Sequence, residues 1–216
     1  MRTGSLSALV ALALWGCDTP GPSVPTASVP PVASSSEADP LPDPGVFKSK
    51  RFGLRLRLPD SSTWRLDDTR APWLTASQPT AGSTLLVRLW RSENRMSRQK
   101  CEEQARGFRK LPTREGAEIL SEQRVEIPPG FDTHADVGVT ADSKGGLFGF
   151  ILAFGGSGRR CFAYVYVTRA EGPTADTLVA DRLAEMMEGS LKTLAFESDL
   201  DAILERDAAP PAPEGG

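Results

Sequence analysis

Histidine is almost missing from this sequence: His134 stands alone among 216 residues, and there are only three cysteines, Cys17, Cys101 and Cys161. A single imidazole excludes histidine-rich metal centres and leaves carboxylates as the other candidates for acid–base work. Long apolar runs are absent as well. The longest, Leu6 to Trp15, is about ten residues, half of the ~20 a membrane-spanning helix requires. Nor is there a basic excess. The formal charge is -3 and the sequence pI about 5.4, which argues against binding nucleic acid through its backbone charge. No internal repeat is present, and no motif calls for a cofactor.

The N-terminus is informative. Arg2, the apolar run to Trp15, small Gly16 and then Cys17 follow the order of a secretory signal and its cleavage site. Leu14-Trp15-Gly16-Cys17 resembles the lipobox of bacterial lipoproteins, with Trp15 where a small residue is usual. The resemblance implies that Cys17 is acylated (diacylglyceryl and palmitate chains) and becomes the mature N-terminus. It also implies a place in the cell envelope of a Gram-negative bacterium, anchored to the inner or outer membrane and facing the periplasm or the exterior. An ordinary signal cleaved elsewhere is the alternative, although no A-x-A-like site lies nearby.

Cysteine counting points the same way. With Cys17 lipidated, Cys101 and Cys161 are free to pair, and the compartment beyond the cytoplasmic membrane is oxidising. Two buried free thiols are the other option. The bridge would close a loop of about sixty residues, contributing on the order of 4 kcal/mol by the chain-entropy model.

Four segments follow from composition and periodicity: a signal over 1–16, a spacer over 17–45, a domain over 46–196, and a tail over 197–216. The spacer is rich in proline and serine without apolar periodicity, so it cannot bury enough surface to offset its ordering entropy. Within the domain, Phe52, Leu54, Leu56 and Leu58 alternate as a strand ending at Pro59. Short extended pieces are expected at Trp64–Leu66 and Trp73–Ala76, and a longer strand over Ser83–Arg91, whose Arg88 and Arg91 suggest an exposed margin. Cys101, Ala105 and Phe108 mark the apolar stripe of a helix over Ser97–Leu111. Strands are expected over Glu118–Ile127 and Thr133–Ala141. Leu147–Thr168 reads as a hairpin turning at Gly155-Gly156-Ser157-Gly158, apolar on both faces and so central in a covered sheet. Cys161 shares its face with small residues where the helix of Cys101 would dock. A second helix, capped by Thr174, runs to Leu194, with Val179, Leu183, Met186, Met187 and Ser190 on one side. Leu200, Ile203 and Leu204 suggest a last short turn of helix.

The opening Phe52-Gly53-Leu54-Arg55-Leu56-Arg57-Leu58-Pro59 followed by Trp64 is similar to that of some PsbP-like α/β/α sandwich domains. The similarity spans 46–196 and implies a binding or assembly module with no shared catalytic set. The expected fold is therefore α+β: a mainly antiparallel sheet flanked by two helices, with one disulfide.

Three groups of residues could carry chemistry. Asp132, His134 and Asp136 are spaced two apart and share a strand face, so they could hold a divalent metal or orient the histidine as a base. The competing reading is the solvated face of an edge strand, with Ala135 and Val137 turned inward. Gly155-Gly156-Ser157-Gly158 lacks the helix of a nucleophile elbow and the lysine of a phosphate loop, which leaves a hairpin turn. Trp64, Trp73 and Trp90 lie on separate elements and read as core or rim, not as a sugar platform. The function expected is that of an envelope binding or assembly module, attached to the membrane through its lipid and meeting an envelope protein. The alternatives are a metal-dependent or hydrolytic enzyme using Asp132, His134 and Asp136, and a structural spacer.

Overall fold

The computed structural model describes residues 45–49, 51–69, 72–141 and 145–196. The chain divides into two units, Met1–Asp39 and Pro40–Gly216, and every described residue belongs to the second. The lipobox-like stretch, most of the spacer, and Leu200, Ile203 and Leu204 lie outside the described residues.

Seven antiparallel strands form the main sheet, in the order β3-β4-β5-β9-β8-β7-β6. These are β3 (Arg65–Asp67), β4 (Leu74–Gln78), β5 (Ser83–Arg91), β6 (Glu118–Val125), β7 (Asp132–Ala141), β8 (Leu147–Ser157) and β9 (Arg160–Ala170). A second sheet has three strands, β1 (Val46–Ser49), β2 (Leu54–Arg57) and β10 (Ala195–Phe196), with β2 in the middle. The two helices are α1 (Arg98–Phe108) and α2 (Ala175–Glu185). The α+β expectation with one disulfide holds, and the small sheet is an addition to it.

Strand alternation sorts the main sheet into two apolar faces. The inner face presents Leu85, Val87, Ala135, Val137, Ile151, Ala153, Tyr164 and Tyr166 to Val179, Leu183, Met186 and Met187 from α2 and the turns after it, and to Leu54 and Leu56 of the small sheet. The outer face presents Phe150, Leu152, Phe154, Cys161, Ala163 and Val165 to Cys101 and Ala105 of α1. β8 and β9 are apolar on both sides because both sides are covered, as strands in the middle of a layered fold must be.

Local chemistry sets the helix ends. Ser97 caps α1, its Oγ accepting from Lys100 N at 3.3 Å, which satisfies one of the orphan N–H groups of the first turn. Thr174 occupies the cap position of α2 but makes no side-chain cap hydrogen bond. Beyond Glu185 the α geometry gives way to a π turn over Met186–Ser190 and a 3-10 turn over Leu191–Thr193, so the helix is shorter than its apolar pattern.

Candidate functional site

The hairpin turn is not where the glycine run suggests. β8 continues through Ser157, and the turn consists of Gly158 and Arg159 alone, with Gly155 opposite Phe162 and Gly156 opposite Cys161. Of the three glycines only Gly158 has positive φ, at 61°. Gly156 serves a different end: a Cβ there would lie 3.2 Å from the backbone of Ser97 and Arg98 and 3.3 Å from Cys101 Sγ. Its missing side chain lets the start of α1 rest directly on the sheet. In that seat Cys101 and Cys161 are joined in a disulfide, Cα atoms 5.4 Å apart and both residues wholly buried.

Beside this seat, the outer face of β7 carries the acid and imidazole side chains. Asp132, His134 and Asp136 alternate with buried Thr133, Ala135 and Val137. β7 is not an edge strand, because β6 pairs with its far side. The register sets Glu122 opposite Asp136 and Arg124 opposite His134. A register shift between Ile119 and Ser121 inserts one residue, which turns Glu122 and Arg124 to the outer face.

The expected triad divides. Asp132 leaves it: its Oδ1 accepts from Arg124 Nε at 2.8 Å and lies 4.0 Å from Arg98 Nη1 on the first turn of α1. Its place is taken by Glu122, whose carboxylate oxygen lies within 4.8 Å of donor atoms on His134 and Asp136. Asp136 is the buried member, its side chain 10% exposed. His134 Nε2 lies 2.9 Å from Asp136 Oδ1, yet that oxygen accepts no hydrogen bond. Arg114, from the loop before β6, bridges the acids. Its Nε is 3.7 Å from Asp136 Oδ2, and it ion-pairs with Glu122. A groove of about 430 Å³ lined by Arg124, Glu126, Phe131 and Asp132 adjoins this cluster.

Glu122 could not be assigned from sequence. Its alternation in β6 is even, and only the inserted residue, which composition does not reveal, decides its face.

A second group sits over β4 and β5. The Arg88 guanidinium stacks 3.5 Å from the centroid of Phe108 and lies 5.7 Å from those of Trp73 and Trp90. Burial pushes its pKa down. Among the described residues it makes no ion pair. The expected margin at Arg88 is thus corrected: β5 lies inside the sheet, between β4 and β9, and the arginine is held under rings. Phe108, expected in the core stripe of α1, is 45% exposed and serves as one of those rings. Trp64, Trp73 and Trp90 are all buried, and Trp90 Nε1 donates to Gln104 Oε1 at 2.8 Å.

Comparison with known proteins adds a likeness of shape. No family model matches the chain, and no curated protein matches it. Among solved structures, a protein from Bacteroides thetaiotaomicron VPI-5482, crystallised at 1.50 Å resolution, overlaps 72% of this chain at 10% identity with a TM-score of 0.41. This chain spans about half (49%) of that one. The Saccharomyces cerevisiae Ran-binding protein Mog1p overlaps the same share at 10% identity, with a TM-score of 0.45 and 96% of its own length covered. Neither likeness bears on the residues of the site.

Proposed function

We propose that the chain is an exported lipoprotein whose α+β domain acts as a binding or assembly module in the cell envelope, held to the membrane by acyl chains on Cys17. The observation that carries this reading is the pairing of Cys101 with Cys161. A buried structural disulfide is suited to an oxidising compartment. It also leaves Cys17 as the one cysteine outside the bridge, one glycine beyond an apolar run too short to span a bilayer. Among the described residues, no helix is long and apolar enough to cross a membrane. The Arg88 stack, with half-exposed Phe108 at its surface, supplies the aromatic and arginine groups that concentrate binding energy at protein interfaces.

Intact-mass measurement of the membrane fraction tests the anchor and the bridge together. The expected species begins at Cys17, carries the lipid increment and is two hydrogen atoms lighter than the dithiol form. A full-length species without lipid, recovered in the aqueous phase after detergent partitioning, would remove the anchor.

A further inference from the structure

We propose that Glu122, His134 and Asp136 form a binding site for a divalent transition-metal ion, zinc by the chemistry of the donors, in which Arg114 holds the place of the cation until metal arrives. The inference is independent of the lipid anchor.

The observation behind it is the contact between His134 Nε2 and Asp136 Oδ1. At 2.9 Å the two atoms are as close as a good hydrogen bond would bring them, yet Oδ1 has no hydrogen-bond partner. The imidazole nitrogen is not aimed at Oδ1, so a buried carboxylate oxygen is left without a donor, and such an oxygen is costly until a donor or a cation reaches it. Donor atoms each about 2.0–2.2 Å from one zinc ion are themselves roughly 3.0–3.4 Å apart at octahedral or tetrahedral angles, so the observed contact is close to one edge of a coordination polyhedron. Asp136 is fixed by burial, and His134 is held on a paired strand. Glu122 is exposed on β6, with a carboxylate oxygen within 4.8 Å of both donor atoms. One imidazole and two carboxylates suit zinc or similar ions and disfavour copper(I), which prefers sulfur. Three protein ligands leave a fourth position for water or a ligand.

Arg114 explains how the site persists without metal. Two carboxylates this close, one of them buried, repel each other unless a positive group lies near. The guanidinium near both supplies it. Its side chain is 46% exposed, so it is free to swing into solvent when an ion takes over its charge.

The test is a zinc titration of the chelator-treated full chain in detergent by calorimetry, repeated with cobalt(II) to read the visible d–d bands. One ion per chain is expected, with cobalt bands of a low-coordinate nitrogen–oxygen site. H134Q and D136N should each weaken binding at least about tenfold, since each removes one of three ligands. R114A should tighten zinc binding several-fold while lowering the Tm of the metal-free protein, a pair of opposite effects that a simple ion-pair network would not give. D132N keeps the three ligands and should bind as the parent does. Far-ultraviolet circular dichroism of each variant identifies any that fails to fold, and E122Q, at an exposed position, then serves in its place. No binding by the folded parent would overturn the proposal. So would affinity unchanged in both H134Q and E122Q, which would put the ion elsewhere.

Discussion

Tyr164 and Tyr166 are the only tyrosines, and both lie in the inner core. Tyr164 Oη donates to Met186 O at 3.4 Å, and Tyr166 Oη to Ser83 Oγ at 3.1 Å. Burial above all raises both phenol pKa values. In the unfolded chain they ionise near pH ~10, whereas the native state keeps their protons. The folded pKa is the higher one, so the stability these groups confer is present below about pH 10 and lost as pH rises beyond it. Ultraviolet titration should therefore show no tyrosinate until the fold opens, then one step coincident with loss of circular dichroism. Y164F should flatten the alkaline decline in stability and cost about 1 kcal/mol at neutral pH through its lost hydrogen bond. At the same scale, Gly149 is a matter of space. A Cβ there would meet Val179 Cγ1 at 2.4 Å and Leu183 Cδ1 at 3.1 Å. G149A should cost about 1–3 kcal/mol by forcing α2 off the sheet, read from the denaturant midpoint.

Helix α1 is the element that depends on sequence-distant support. Its apolar stripe is narrow, with only Cys101 and Ala105 buried, and it gains its seat from Gly156 and its bond to Cys161. A double variant C101A/C161A should lose about 4 kcal/mol by the loop-closure model, and reductant should shift the unfolding of the parent but not of the variant. Much of this was legible beforehand. Period-two alternation in Ser83–Arg91 and Leu147–Thr168 gave the central strands, because those residues are buried on faces the pattern marks. The shared face of Cys161 and the small residues of β9 also indicated where α1 docks. Other features were hidden for physical reasons. β1 is four residues long, with burial mixed along it, so its pairing with β2 decides it rather than its own periodicity. Glu122 depended on the inserted residue in β6. Gly155 and Gly156 resemble turn residues in composition and act as spacers within a strand.

At the scale of the whole molecule, the apolar two-faced hairpin already required layers on both sides, and the three-layer arrangement follows from it. Strand spacing places Asp132, His134 and Asp136 on one face, as β7 has them, but it does not show ion-pair choice, and Arg124 and Arg98 draw Asp132 away. If Cys17 is acylated, C17S should move the protein from the detergent phase to the aqueous phase while its melting curve stays unchanged, since Cys17 lies outside both core clusters. The chain enters the domain through β1 and leaves the described region through β10, both paired to β2 in the small sheet. That sheet packs on the inner face, opposite α1 and the acid–imidazole cluster. Tension applied at Val46 would therefore load a four-residue margin first, unzipping Val46 from Arg57 before any strain reaches the stapled body. In a single-molecule stretching trace this would be a small early yield at low force, with the main rupture later and separate. If the chain is held through Cys17, the four-residue β1 margin is its mechanical fuse.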